Sequence, residues 1–198
     1  MRILDADDAG LQAAAVALAD GEIAAFPTDT VHGLACRPND PAALDRLFVA
    51  KGRPAERQVA VLVAGLSDAS TLGLLLTDPA RSLVEAFWPG GLTLVLATAD
   101  GETLGVRQPD HPVARALLAL TGPLPTTSAN PHGMPECLTT DDVQIAFAGS
   151  EAISVVVRGE SPGGTASSVL DLSEGQPRLI REGAVSRARL EAIVGPID

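Results

Sequence analysis

Leu11, Ala14, Ala15 and Leu18 recur at the i, i+3, i+4, i+7 spacing of one helix face, with Asp7 or Asp8 as a cap and Gly21 as a stop. The period then shortens. Glu22–Phe26 reads as a short buried strand closed by Pro27, which has no N–H for a ladder, so 28–33 is a turn. Asp40-Pro41 is a cap with a first-turn proline, and Leu44, Leu47 and Phe48 line the helix that runs toward Lys51. The β-branched run Val59–Val63 predicts an interior strand. A helix from Asp78-Pro79 through Phe87 is broken by Pro89-Gly90-Gly91, after which Leu92–Ala97 returns to strand character. Val106-Arg107 ends another strand, Asp110–Leu120 is a capped helix, and Pro123–Thr127 leads into the loop Ser128-Ala129-Asn130. The last third predicts a helix near Thr139–Phe147, strands at Ile153–Val157, Ser168–Leu172 and Arg178–Arg181, and a short helix from Ser186.

Strands interleaved with helices predict an α/β fold, a three-layer open twisted sheet flanked by helices. The short late connections predict mixed rather than wholly parallel pairing. No repeat or linker divides the 198 residues, so a single domain over 1–198 is expected. Apolar runs such as Val59–Leu66 and Leu92–Ala97 have strand length, so no membrane segment is expected. The N-terminus turns acidic at once and lacks the pattern of a secretory signal, which points to the cytoplasm. A net charge of −11 disfavours a broad nucleic-acid surface, leaving room only for a local RNA contact. Cys36 and Cys137 form no CxxC pair, and neither a metal cage nor a redox motif is expected.

Polar clusters fall at predicted element ends: Pro27–Gly33, Lys51–Pro54, Val106–Pro112 and Thr126–Asn130. Lys51 and Arg53 straddle a glycine and suit a polyphosphate, or else form a solvated helix end. Ser128 and Asn130 offer a hydroxyl and an amide beside the small Ala129, which would let a ligand approach closely; an ordinary turn or cap is the alternative. Arg107 could grip a carboxylate, with a surface ion pair the equal competitor. Asp29, in a threonine-rich turn, reads as an acceptor of local backbone hydrogen bonds rather than a catalyst. His32, His111 and His132 lie in separate loops and give no support to a hydrolase triad. Gly163-Gly164 completes no phosphate-loop fingerprint and reads as a lid or turn.

As a set, FPTDTVHGL, KGRP, FWPGGLTLVL, VRQPDHP, PTTSAN and SSVLDL followed by IREG resemble the YrdC-like threonylcarbamoyl-AMP synthase family, from Gly21 to about Ser186. The resemblance implies a deep central cavity and an enzyme that takes L-threonine, bicarbonate and ATP, with Mg2+ carried on the nucleotide, to threonylcarbamoyl-AMP and pyrophosphate. It implies a nucleotidyltransferase of tRNA threonylcarbamoyladenosine modification, feeding a downstream tRNA-modifying complex. The polar tetrad falls on Lys51, Arg53, Ser128 and Asn130, expected to act in catalysis and on ATP, and Arg181 matches a nucleotide-contacting arginine. Threonine recognition falls on Thr30, Arg107, Thr126 and Ser167, and no protein metal ligand is expected. The reaction needs no enzyme nucleophile, since positioning and charge stabilisation suffice. Pro162–Thr165 would be a lid over a labile carbamate. His32 stands where tyrosine is usual, Arg57 and Val59 replace Asn-Pro, and Ser168 replaces threonine. The chain resembles the short, catalytic-domain-only form. Two other functions fit the fold: a noncatalytic RNA-binding or ribosome-maturation protein, and carbamoyl transfer from carbamoyl phosphate.

Overall fold

Side-chain caps set where most of the helices begin. The computed structural model describes residues 1–52 and 59–198. In chain order these form β1 (Arg2–Leu4), α1 (Asp8–Ala19), β2 (Ala24–Phe26), β3 (Gly33–Ala35), α2 (Pro41–Lys51), β4 (Ala60–Leu62), α3 (Leu66–Thr71), α4 (Asp78–Phe87), β5 (Leu92–Ala97), β6 (Thr103–Arg107), α5 (Pro112–Thr121), β7 (Leu124–Ser128), α6 (Thr140–Ala146), β8 (Val155–Val157), β9 (Ser168–Asp171), β10 (Arg178–Arg181) and α7 (Arg187–Val194). Asp7 caps α1 by accepting the Gly10 amide at 2.8 Å, and Asp40 caps α2 by accepting that of Ala43 at 3.0 Å. Thr139 and Asp142 form a reciprocal capping box at the start of α6.

The strands make one ten-stranded sheet in the order β1-β8-β2-β3-β7-β4-β6-β5-β9-β10. It is mixed: β4 runs parallel to β6 and β5 to β9, while β3 and β7 and β5 and β6 are antiparallel. Three elements went unforeseen. β1 and β3 have three residues each and, unlike β2, β4 and β8, are not embedded in a longer apolar run, while α3 has only six residues. β3 exists because β2 and β7 pair with it on both sides. The α5 cap is His111, whose Nδ1 accepts the Val113 amide at 3.3 Å, rather than Asp110.

Alternation along the strands decides which face is filled. Val61, Leu94, Val106 and Leu170 pack under α4 and α7. On the other face, α1 and α5 cover Ala24, Phe26, Ala35, Leu62 and Leu124. A third cluster joins Ala25, Leu34 and Val156 to Leu47 of α2 and Val143 of α6. Among residues one step out of register with the α4/α7 cluster, several are small or polar: Ala60 on β4, Thr93 on β5, Gly105 and Arg107 on β6. They line a cavity of about 700 Å³ on the α1/α5 side of the sheet.

Candidate active site

The cavity is closed at one end by the turn between β2 and β3. The Thr28 hydroxyl donates to the Val31 carbonyl at 2.7 Å and accepts the Thr30 amide at 3.2 Å, which ties the turn to itself. Thr30 and Arg107 both line the cavity. Arg107 is buried, and its guanidinium is divided among separate segments: Nε donates to the Gly90 carbonyl at 2.9 Å, Nη1 to Thr30 Oγ1 at 2.8 Å, and Nη2 to Asp29 Oδ1 at 2.5 Å. Burial pushes the Arg107 pKa below its ordinary value; Asp29 opposes that shift, and the nearby charge of Arg181 adds to it. The Pro-Gly-Gly break before β5 makes this approach possible. A Cβ on Gly91 would lie 2.6 Å from that of Ala184 and 3.3 Å from Thr30 Cγ2.

Asp29 does not take the part read for it from sequence. Its carboxylate accepts from Arg107 and from the Asp110 amide at 3.0 Å, partners far away in the chain rather than local backbone. Arg107 is therefore in an ion pair, but a buried one, with side-chain exposures of 7% and 16% for the two partners.

At the next stretch of wall, Ser128 ends β7 and faces the cavity. Behind it sits Lys51, in the last turn of α2 and 4% exposed. The Lys51 ammonium donates to the Ser128 carbonyl at 2.6 Å, the Asn130 carbonyl at 2.7 Å and Asn130 Oδ1 at 3.1 Å. The Ser128 hydroxyl donates to Asn130 Oδ1 at 2.7 Å, and Asn130 Nδ2 to the Met134 carbonyl at 2.6 Å. The solvated helix end is thus ruled out for Lys51, whose charge is buried against the Ser-Ala-Asn segment. Ala129 does not present an open approach to a ligand. It is fully buried in the core, and its amide donates to the His32 carbonyl at 2.7 Å.

On the opposite wall, Thr93 Oγ1 and Ser167 Oγ lie 2.9 Å apart, and Arg181 of β10 donates to the Ser167 carbonyl at 2.8 Å from Nη2 and 3.0 Å from Nε. Ser168 anchors the segment carrying them, accepting the amides of Gly183 at 2.9 Å and Val185 at 3.0 Å. Thr30, Arg107, Thr126, Ser128, Ser167 and Arg181 therefore share one cavity, which Lys51 and Asn130 reach through Ser128. Arg53 and Arg57 lie outside the described residues. Thr93 is the residue here that sequence reasoning missed, and Asp29 the one whose partners it misread. The signal available for Thr93 was its polar side chain within an apolar strand run.

His32 is buried and meets a residue far away in the chain. His32 Nδ1 lies 2.9 Å from the Ser161 hydroxyl, which accepts the Thr28 amide at 3.1 Å. Nε2 is buried and has no partner among the described residues. Burial above all, with the His111 charge behind it and Asp142 opposing, pushes the His32 pKa down to about 4. Burial pushes the thiols of Cys36 and Cys137 up to about 11, away from thiolate chemistry. The Pro162–Thr165 segment is exposed but docked: the Gly164 amide donates to the Thr30 carbonyl at 3.0 Å, and a Cβ on Gly163 would lie 2.3 Å from the Asp29 carbonyl oxygen. Among the described residues no helix is long and apolar enough to cross a membrane.

The model of the Sua5/YciO/YrdC family, described as telomere recombination, matches residues 16–183. A threonylcarbamoyl-AMP synthase of Bacillus subtilis is 35% identical over 205 residues, covering 98% of this chain and 59% of the relative, so the chain spans about three fifths of that protein's length. A putative threonylcarbamoyl-AMP synthase of Mycobacterium leprae is 36% identical, with 95% of this chain and 89% of the relative covered. The structure of Pyrococcus abyssi Sua5 complexed with L-threonine superposes with a TM-score of 0.92 at 32% identity, over 100% of this chain and 63% of that one. Escherichia coli YciO shares the fold, at a TM-score of 0.82 and 23% identity over 96% of this chain and 97% of that one. With the match running across nearly all the elements that build the cavity, the chain belongs to the Sua5/YciO/YrdC family.

Proposed function

We propose that this chain is an L-threonylcarbamoyladenylate synthase, a nucleotidyltransferase forming threonylcarbamoyl-AMP and pyrophosphate from L-threonine, bicarbonate and ATP for tRNA modification. The observation that carries the reading is the convergence of Thr30, Arg107, Thr126, Ser128, Ser167 and Arg181 on one cavity of about 700 Å³. That volume suits a nucleotide and an amino acid together. The same fold in P. abyssi Sua5 was captured with L-threonine.

In this reading the threonine amine attacks carbon dioxide derived from bicarbonate, a proton leaves, and a carbamate oxygen attacks the α-phosphorus as pyrophosphate departs. The protein orients and stabilises charge rather than supplying a nucleophile. Arg107, fixed at the turn end of the cavity, takes the threonine carboxylate. Arg181 takes nucleotide phosphate, and the family resemblance assigns Lys51 and Arg53 to stabilising phosphate charge as pyrophosphate leaves. Lys51 acts by holding Ser128 and Asn130 in place as well as through its charge. Mg2+ arrives on the ATP phosphates, and the cationic and hydroxylic wall fits a metal held by the nucleotide rather than by protein carboxylates. The product passes to a downstream tRNA-modifying complex, and a single domain over 1–198 carries the reaction.

Pyrophosphate release by the purified chain with ATP, Mg2+ and bicarbonate tests this, comparing L-threonine, L-serine and no amino acid. Release that depends on threonine and is lost in Lys51→Ala is the expected result. No release with any amino acid would transfer belief to a noncatalytic RNA-binding role.

A further inference from the structure

Asp29 is half-buried beside the cavity without lining it, and what it touches is the guanidinium that does. Its Oδ1 joins the turn after β2, the end of β6 through Arg107 Nη2, and the entry to α5 through the Asp110 amide. The other two bonds of that guanidinium go to the Gly90 carbonyl and to Thr30, itself bonded to Thr28. A charge-assisted bond is the strongest of the three, and removing it leaves the outer nitrogen of a buried cation without its counter-charge. Gly163 closes the back of the same turn, with no space for a Cβ beside the Asp29 carbonyl.

We infer that Asp29 is a positioning residue. It fixes the rotamer and the plane of the Arg107 guanidinium, so that the cavity presents a preset fork to the carboxylate of the amino-acid substrate. The inference deepens the proposed function and rests on it for the identity of the ligand. The relation between Asp29 and Arg107 does not.

Two readouts on the full chain keep these apart. Side-chain nitrogen NMR of the free protein, with Arg107→Lys to assign the signal, reports whether the Arg107 Nη groups rotate slowly. Calorimetry reports L-threonine and ATP affinity. Slow rotation in the parent and averaged signals in Asp29→Ala are expected, with L-threonine about tenfold weaker and ATP within about twofold. Asp29→Asn, which keeps the acceptor oxygen, recovers most of the threonine affinity. In an Arg107→Ala background Asp29→Ala costs no further affinity. An Arg107 signal unchanged in Asp29→Ala overturns the inference, as does an equal loss for ATP and threonine or a loss that adds fully to that of Arg107→Ala. A parent chain that binds no L-threonine overturns the substrate assignment, while the guanidinium signals still decide whether Asp29 holds Arg107.

Discussion

The Lys51 ammonium lies 2.7 Å from the carbonyl oxygen of Asn130, a residue 79 positions further along the chain. One end of α2 is thereby bonded to the segment after β7, and the same nitrogen reaches the Ser128 carbonyl at 2.6 Å. A charged group at this depth carries a desolvation cost that only multiple acceptors offset.

Lys51→Met keeps the stem volume and removes the donor, leaving buried carbonyls of Ser128 and Asn130 to lose their partner. A loss of about 1–3 kcal/mol in denaturant unfolding is expected, together with loss of threonine-dependent pyrophosphate release. Full stability in this variant would mean that the loop holds itself.

His32 makes stability depend on acidity. Its pKa is about 4 in the folded chain against 6.5 for the free group. The unfolded chain therefore binds the proton first, and stability falls as pH drops from about 6.5 to about 4, then levels off for this group. The full difference is ~3.5 kcal/mol at ~1.4 kcal/mol per unit. His32→Gln should flatten the stability profile in that window, measured by urea unfolding at stepped pH; a profile identical to the parent's would remove His32 as the cause.

Gly163→Ala places a methyl group where the Asp29 carbonyl oxygen already sits, 2.3 Å away. The turn must yield, at about 1–3 kcal/mol, and threonine affinity should fall with it because Asp29 and Thr30 move. Gly65→Ala, with nothing within 4 Å of the new Cβ, is the control and should leave both quantities near the parent's.

Ser168→Ala strips the acceptor shared by the Gly183 and Val185 amides and the donor to the Val185 carbonyl. Thermal unfolding should register about 1–3 kcal/mol. Arg181, carried on the hairpin between these points, should bind nucleotide less well. Ser168→Thr retains the hydroxyl, and if it fails to restore stability the fully buried site lacks room for the added methyl.

Much of the architecture was legible because it is encoded locally. The caps at Asp7 and Asp40 and the stop at Gly21 depend on a few neighbouring residues. So do the apolar runs of β4 and β5. β1 and β3 were not legible, since Arg2–Leu4 and Gly33–Ala35 lie outside any longer apolar or β-branched run and their pairing energy comes from distant strands. The cavity left a trace in the Ala60, Thr93 and Gly105 positions, yet nothing local says that three small or polar residues from different strands share one face.

The residue types at the site, their order and the mixed α/β class were determined by the sequence alone, through caps, periodicity and motif spacing. Which groups meet was decided only by the tertiary structure. Asp29 reads as a turn residue until β6 brings Arg107 to it. Lys51 reads as a solvated helix end until β7 delivers Ser128 and Asn130. His32 reads as one of three scattered histidines until Ser161 takes its Nδ1. In each case the partner is a charge or hydrogen bond across a long sequence separation, and the burial that gives it strength exists only once the sheet has assembled.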